Sequence, residues 1–322
     1  MRDLLLEVKG LKKQYPIWGP MGRFLGPADH INAVAGVSFS ISNGETYGLV
    51  GESGCGKTTA GRALLGLERV DGGQILFAGR DLAKLSQREF MPLRRDIQLV
   101  FQDTLSSLNP RRRIGRILEE PLIIQKIGSS ETRKDLIMDI LNKVGLSQEH
   151  YFRYPHELSG GQVQRLGMAR ALIIKPKLVI CDEPVSALDV SIQAQILNLL
   201  RTLKKEMALS LLFISHDIGV VRYISDVIGV MYLGTIVEQA PTELLFDEPR
   251  HPYTKLLFSA IPRLGSQGLA QTSPLGEAPV HTDSFRGCVF HTRCPYATDR
   301  CKAEAPVLRE FSPTHTVACH MV

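Results

Sequence analysis

The stretch GESGCGKTT, residues 51–59, constrains this chain more than any other. It matches G-x-x-x-x-G-K-[ST], the preceding ETYGLV is typical of a strand, and the residues after it favour a helix. Glycines let successive backbone N–H groups turn inward on an anion, and the start of a helix adds its positive end. The stretch therefore predicts a phosphate-binding loop in an α/β fold, with Lys57 reaching the β- and γ-phosphates and the Thr58 hydroxyl holding Mg²⁺.

Polar side chains follow three other predicted strands. LVICDEP ends a buried apolar run with Asp182 and Glu183, which places two carboxylates at the edge of a parallel sheet where α/β folds bind ligands. We expect Asp182 to anchor the magnesium shell and Glu183 to polarise the attacking water. His216 in ISHD is expected at the same edge, in contact with the γ-phosphate, and Gln102 in LVFQD ends another strand.

A second glycine motif, LSGGQ, begins a predicted helix without a strand before it. It cannot belong to the same phosphate loop, so the sequence predicts a separate anion site that serves the nucleotide of another subunit. SALD, which ends at Asp189, is expected near that junction. The residues assigned to this second site are Leu158, Ser159, Gly160, Gly161, Gln162 and Asp189.

Taken together and in this order, the motifs GESGCGKTT, VFQD, LSGGQ, VICDEP, SALD and ISHD resemble those of the ATP-binding-cassette (ABC) family, over about residues 4–245. The resemblance implies a RecA-like parallel sheet, an antiparallel β layer and a helical subdomain at about 104–165. It implies that two cassettes pack head to tail, each ATP lying between GESGCGKTT of one and LSGGQ of the other. Gln102 would also couple this site to permease helices.

The same resemblance implies which residues contact ATP and magnesium. Tyr15 matches the aromatic residue that stacks on adenine, although the Gly/Pro-rich segment 16–32, which is typical of an exposed loop, leaves Trp18 as a weaker candidate. The full set is Tyr15, Gly51, Ser53, Gly54, Cys55, Gly56, Lys57, Thr58, Thr59, Gln102 and Asp182.

Three longer strings narrow the resemblance: YPHELSGGQ, EPVSALDVSIQAQILNLL and RHPYTKLLFSAIP. They are similar to the ATPase subunits of peptide-type importers, which move dipeptides, oligopeptides, glutathione or nickel. This implies a second ATPase subunit (a copy or a relative), two membrane permeases and an extracytoplasmic binding protein as partners, at the cytoplasmic face of the membrane. The chain departs from the usual pattern of these ATPases at two positions: Thr104 stands where proline is common, and Val163 stands where a polar residue is common.

Charge and hydropathy agree with a cytosolic enzyme. The net charge of +5 is spread along the 322 residues, and the one tight run, 111–113, is too short to indicate nucleic acid. We expect neither a signal peptide nor a membrane span. A DNA-repair cassette with a zinc module is a remote alternative, because those enzymes join two cassettes in one chain and this chain has one.

Four of the six cysteines lie in the last 35 residues with the spacing C-x5-C-x6-C-x17-C: Cys288, Cys294, Cys301 and Cys319. In a reducing compartment this density predicts thiolate ligands for zinc or an iron–sulfur cluster, in a C-terminal extension over 246–322 that follows the cassette at 1–245. The resemblance to peptide importers favours a [4Fe–4S] cluster with a structural role. Zinc and unligated thiols stay as alternatives. Cys55 and Cys181 are interpreted as packing residues.

Overall fold

The computed structural model describes residues 3–18, 27–259 and 281–322. The chain divides into two compact units, the first made of residues 1–3, 41–46 and 85–214 and the second of residues 4–40, 47–84 and 215–322. The strands of the described residues are β1 (Leu4–Ile17), β2 (Asp29–Ser42), β3 (Thr46–Val50), β4 (Gly72–Phe77), β5 (Arg80–Asp81), β6 (Ile97–Val100), β7 (Leu178–Asp182), β8 (Ser210–Ser215), β9 (Val227–Tyr232), β10 (Thr235–Pro241), β11 (Arg309–Ser312) and β12 (His315–Val317).

The α-helices alternate with these strands in much of the chain, as expected of an α/β fold. They are α1 (Lys57–Leu64), α2 (Gln87–Phe90), α3 (Ile114–Ile124), α4 (Ser130–Lys143), α5 (Gly160–Leu172), α6 (Val190–Met207), α7 (Ile218–Ile224), α8 (Thr242–Asp247), α9 (Pro252–Ser259) and α10 (Asp299–Ala303). No helix among the described residues is long and apolar enough to span a bilayer.

In the first unit, β6, β7 and β8 run parallel and side by side. Leu178 of β7 lies opposite Ile97 of β6 on one side and opposite Ser210 of β8 on the other. All residues of β7 and β8 are buried, because a parallel sheet is covered on both faces. Helix α5 packs against β6 and against α3, α4 and α6. The apolar runs LVIC and LSLLFIS are thus strands, as the sequence predicts.

In the second unit, an antiparallel layer has the order β2-β1-β4-β5, and Leu6 of β1 lies opposite Phe77 of β4. This confirms the predicted small antiparallel layer. The Gly/Pro-rich segment differs from its prediction at both ends, since β1 extends to Ile17 and β2 begins at Asp29. The rest of that segment, 19–26, and the Ser/Gly/Gln-rich stretch 265–272 lie outside the described residues.

The second unit also carries a run of strands in the order β11-β12-β10-β9-β3. Strands β3 and β9 are parallel, and β9, β10, β12 and β11 are successively antiparallel. Glu238 of β10 lies opposite Val317 of β12. Residues 309–317 therefore join the sheet as a hairpin, which the sequence pattern does not predict. The proposed division at residue 246 stays a prediction.

The HPYT segment, 251–254, is fixed at the start of α9 by a buried carboxylate. The backbone N–H groups of Arg250 and His251 donate to Glu238 at 2.7 and 2.9 Å, and His315 Nε2 lies 2.7 Å from the same carboxylate. Nδ1 of His251 accepts a hydrogen bond from the backbone N–H of Tyr253 at 3.0 Å. Because Pro252 has no N–H to satisfy, it suits the first position of the helix.

His251 predicts a dependence of stability on pH. Burial lowers its pKa from 6.5 to about 4, and protonation would remove the acceptor that Tyr253 N–H uses. Below about pH 6.5 the unfolded chain binds a proton that the folded chain does not, so the free energy of unfolding should fall as pH decreases from about 6.5 to about 4. This contribution is fully present above that range, and its slope should approach about 1.4 kcal/mol per pH unit.

Urea unfolding followed by tyrosine fluorescence at several pH values measures this slope. His251→Asn keeps a hydrogen-bond acceptor and does not titrate, so its slope should be smaller than that of the wild-type protein. His156→Asn, which changes an exposed histidine, is the matched control and should keep the wild-type slope. Equal slopes for the wild-type protein and His251→Asn would contradict the assignment.

Candidate nucleotide-binding site

The phosphate loop lies between β3 and α1, as the motif predicts. Gly56 has a φ of 104°, and a Cβ there would lie 1.9 Å from the carbonyl oxygen of Ala33. A Cβ at Gly51 would lie 2.1 Å from the carbonyl oxygen of Met231. Neighbouring backbone thus packs so closely on the loop that only glycine fits at these two positions. Gly54 and Ser53 are exposed at the tip of the loop.

Lys57 is buried, and its ammonium group lies inside the loop. Nζ donates to the carbonyl oxygens of Gly51 at 2.8 Å and Glu52 at 2.9 Å. These bonds satisfy a charge that would otherwise be costly to bury. They hold the ammonium beside the loop backbone, where the motif requires it. Thr58 and Thr59 follow in the first turn of α1 and are half-buried.

Tyr15 lies on β1, and its hydroxyl group is close enough to the side chains of Thr59 and Glu68 for both to influence its pKa. Burial, and then the Glu68 carboxylate, raise the pKa of Tyr15 above its ordinary value. Strand β1 therefore brings Tyr15 beside the helix that begins at the phosphate loop, despite their separation in sequence. Trp18, the weaker candidate, is 59% exposed just after the end of β1.

His216 follows β8 directly and is exposed. The turn after it is tightly fixed: the N–H of Asp217 donates to Ser215 Oγ at 3.0 Å, and Asp217 accepts from the N–H of Val220 at 3.2 Å. Asp217 therefore caps α7. The neighbouring backbone presents His216 at the carboxyl end of its strand, where the sequence predicts it.

In the first unit, two residues predicted from separate motifs lie together. Nε2 of Gln102 donates to Oε2 of Glu183 at 3.2 Å. Glu183 has a φ of 47°, unusual for a residue other than glycine, and its N–H donates to the Ile214 carbonyl at 2.9 Å. Such strain, held by the adjacent strand, is characteristic of functional positions. Asp182 is buried at the end of β7.

The LSGGQ motif starts α5 after a short 3₁₀ turn, Pro155–Glu157, and no strand precedes it, as predicted. The backbone N–H of Ser159 donates to Oε1 of Gln162 at 3.0 Å, which closes the first turn. Gly161 is buried, and a Cβ there would lie 2.7 Å from Cγ2 of Ile192. Ser159 and Gly160 are exposed, Leu158 is half-buried, and Asp189 is exposed at the start of α6.

The two departures from the family pattern are both buried at α5: Thr104 packs against this helix, and Val163 lies within it. Thr104 is buried, and its Oγ1 lies 2.7 Å from Oε1 of Gln164 and 3.1 Å from the carbonyl oxygen of Phe101. Its methyl group would meet a Cβ at Gly167 at 2.4 Å, so the glycine makes room for this threonine. Val163 is also buried. Thr104 therefore connects the segment after β6 to α5, the helix that begins at the LSGGQ motif.

Cys55 and Cys181 are buried thiols. Burial raises the pKa of Cys181 to about 12 and also raises that of Cys55 above its ordinary value. A thiol with a raised pKa is a poor nucleophile at neutral pH. Both observations favour the packing role expected of these two cysteines from the sequence.

The four tail cysteines influence one another electrostatically. Burial, together with the neighbouring Cys301, Cys319 and Cys294, raises the pKa of Cys288 to about 11. Cys301, Cys288 and Cys319 are buried and Cys294 is partly exposed. Nevertheless, within the described ranges 3–18, 27–259 and 281–322, no three or more His, Cys, Asp or Glu side chains are arranged to hold a metal ion. Neither zinc nor an iron–sulfur cluster is therefore supported by the geometry.

Family comparisons agree with this site. A family model described as ABC transporter matches residues 34–186, which include the phosphate loop, the LSGGQ motif and the Asp182–Glu183 pair. A second, described as the C-terminal region of oligopeptide/dipeptide transporters, matches residues 237–301. The fold is that of solved cassettes: the dimeric bacterial ABC transporter cassette MJ0796 matches with a TM-score of 0.65 and 29% identity, over 74% of this chain and 98% of that one.

Relatives match over nearly the whole chain. The chain is 47% identical to the oligopeptide transport ATP-binding protein AppF of Bacillus subtilis, over 99% of this chain and 98% of that protein. It is 45% identical to the dipeptide transport ATP-binding protein DppF of Haemophilus influenzae, over 98% and 96% of the two chains. The fold and the phosphate loop define an ABC-type ATPase. The chain belongs, more narrowly, to the ATP-binding proteins of the oligopeptide/dipeptide transporter family.

Proposed function

We propose that this protein is the ATP-hydrolysing subunit of an importer for dipeptides or oligopeptides. The observation that carries the proposal is the joint presence of an intact phosphate loop and the C-terminal region of oligopeptide/dipeptide transporters in one chain. The names of relatives that are 45–47% identical over nearly their full length support the peptide class. Import of nickel, glutathione or another small solute is the alternative.

In the proposed mechanism, the phosphate loop binds the nucleotide. Backbone N–H groups of residues 51–59 would donate to the phosphates, Lys57 would exchange its carbonyl contacts for the β- and γ-phosphates, and Tyr15 would stack on adenine. Thr58 and Asp182 offer the oxygen ligands that magnesium prefers. Bound magnesium would neutralise charge that develops on the phosphates.

Glu183 is the proposed base. Its carboxylate would orient and polarise the attacking water, with Gln102 holding the carboxylate through the bond observed at 3.2 Å. His216 would contact the γ-phosphate. The backbone of Glu183 is strained at a φ of 47°, which is common at functional positions.

We also propose that Leu158–Gln162, with Asp189, completes the ATP site of a second cassette. The exposed start of α5 supports this, since Ser159 and Gly160 are available to an external anion. The dimeric form of the related cassette MJ0796 supports it further. The two cassettes would lie at the cytoplasmic face of the membrane as peripheral subunits and would act on two permease subunits. A solute-binding protein would deliver the solute to these permeases. No nucleic acid takes part.

Two substitutions separate binding from hydrolysis. Lys57→Ala should abolish MgATP binding because it removes the buried positive charge of the loop. Glu183→Gln should bind MgATP normally but lower turnover by at least about 100-fold, since the amide cannot accept a proton from water. Fluorescent-nucleotide titration and phosphate-release assays measure the two quantities. Turnover near the wild-type rate in Glu183→Gln would refute the role of Glu183.

The transported class is tested in the assembled complex. Purified with its permeases in proteoliposomes, the ATPase should be stimulated several-fold by binding protein loaded with a dipeptide or oligopeptide, because transport substrates promote cassette closure. The same complex carrying Glu183→Gln controls for contaminating ATPases. Stimulation by nickel or glutathione, and not by peptides, would replace the peptide proposal with that alternative.

We further propose that Cys288, Cys294, Cys301 and Cys319 hold a [4Fe–4S] cluster with a structural role. Two polar contacts to sulfur support the proposal: Met321 N–H donates to Cys319 at 3.4 Å, and Thr298 Oγ1 lies 3.4 Å from the Cys301 sulfur. The four sulfurs around a [4Fe–4S] cluster lie farther apart than the sulfurs around one zinc ion. A cluster therefore requires the four cysteines to lie less close together than zinc does.

Anaerobic purification tests the cluster. The protein should be brown and contain about four iron and four sulfide per chain. Cys301→Ser should lose the colour and lower the unfolding temperature, whereas Cys55→Ser, outside the tail, should keep the colour. One equivalent of zinc in a colourless protein would replace the cluster by zinc, and a folded tail without metal would exclude both.

A further inference from the structure

The phosphate loop contains a carboxylate that a phosphate site does not need. Glu52, the second residue of GESGCGKTT, is half-exposed with 32% of its side chain accessible. Its carbonyl oxygen accepts a hydrogen bond from Lys57 Nζ at 2.9 Å. A negative charge so close to bound phosphates would oppose their binding by Coulomb repulsion. The loop therefore needs a positive group that offsets this charge.

Arg293 of the C-terminal extension provides that group. Its Nη1 donates to Oε2 of Glu52 at 2.8 Å and its Nη2 donates to Oε1 at 3.1 Å, a bidentate pair that joins residues 241 positions apart in sequence. The Arg293 side chain is only 12% exposed, and its guanidinium lies 5.6 Å from the ring centroid of Tyr232. A bidentate pair fixes the orientation of the carboxylate as well as offsetting its charge.

A second residue of the extension holds the backbone of Glu52. The hydroxyl oxygen of Tyr253, which is completely buried, accepts a hydrogen bond from Glu52 N–H at 3.1 Å. Tyr253 packs against Tyr232 and Phe290, with ring centroids 4.6 and 5.4 Å away. The extension thus holds both the side chain and the main chain of one residue in the phosphate loop.

We infer that Arg293 and Tyr253 are positioning residues for ATP binding. Arg293 offsets the charge of Glu52 and holds its carboxylate, while Tyr253 fixes the backbone whose carbonyl oxygen accepts from Lys57 Nζ. The C-terminal extension is then a working part of the nucleotide site. This inference rests on the proposed binding of ATP at the loop. It does not depend on the metal content of the tail.

Equilibrium titration of the full-length chain with a fluorescent MgATP analogue tests the inference. Arg293→Gln leaves the Glu52 carboxylate unpaired and should weaken MgATP binding about tenfold, as expected for one uncompensated negative charge near the phosphates. Glu52→Gln should tighten binding by up to about threefold, since Arg293 then faces the phosphates alone. The double substitution should return the dissociation constant to within about twofold of wild type.

Two further measurements distinguish a charge effect from a loss of structure. The difference between Arg293→Gln and wild type should shrink as ionic strength rises, because salt screens the unpaired carboxylate. Tyr253→Phe should weaken binding by about threefold at every ionic strength, since it removes a neutral hydrogen bond. The unfolding temperature and the metal content of each variant are measured as well, so that a loss of structure is recognised.

Arg300→Gln is the matched control. Arg300 also precedes a tail cysteine, but it pairs with Glu304 at 3.0 Å on the exposed face of α10, away from the loop. The Arg300→Gln substitution should leave the affinity for the nucleotide unchanged. An unchanged affinity in Arg293→Gln, or a double variant as weak as Arg293→Gln, would overturn the inference. Absence of binding by the wild-type chain would instead overturn the proposed ATP site.

Discussion

The described part of the second unit depends on one buried carboxylate. Glu238 has no accessible surface, yet it accepts hydrogen bonds from the backbone at Arg250 and His251 and lies 2.7 Å from Nε2 of His315. An ionised carboxylate buried without partners would cost several kcal/mol, so strand β10, the start of α9 and strand β12 must come together. Once they do, Tyr253 is presented to the phosphate loop and the tail is held on the sheet.

This arrangement changes how the tail is stabilised. The tail is poor in large apolar residues, and this composition alone predicts that a metal supplies its folding energy. The structure shows two other contributions: β12 pairs with β10, and the fully buried ring of Phe290 packs on Tyr232 and Tyr253. Burial of an aromatic side chain of this size contributes about 2–3 kcal/mol. A cluster would add to these contacts rather than replace them.

Much of the fold and the site could be predicted because the signals are local. The phosphate loop, the strands β7 and β8 and the start of α5 each follow from a few adjacent residues whose spacing matches one backbone geometry. The position of Tyr15 beside α1 was expected only through the family resemblance, and the Gln102–Glu183 contact was not predicted, because these residues follow strands that are far apart in sequence. The pair between Glu52 and Arg293 could not be predicted, because nothing in either short stretch indicates a partner 241 residues away.

The HPYT segment is where local and distant constraints meet. Each of its first three residues meets a separate physical need. His251 donates its N–H to Glu238 and accepts from the N–H of Tyr253 at Nδ1. Pro252 starts α9 without an unsatisfied donor, and the hydroxyl oxygen of Tyr253 accepts from the N–H of Glu52 in the phosphate loop. Burial keeps His251 neutral, with a pKa of about 4, so that Nδ1 remains an acceptor at neutral pH. Lysine or arginine at 251 could not accept that bond, and phenylalanine at 253 could not reach Glu52 N–H. The sequence of the segment is therefore set by contacts on both of its sides, although the segment lies outside the motifs that bind the nucleotide.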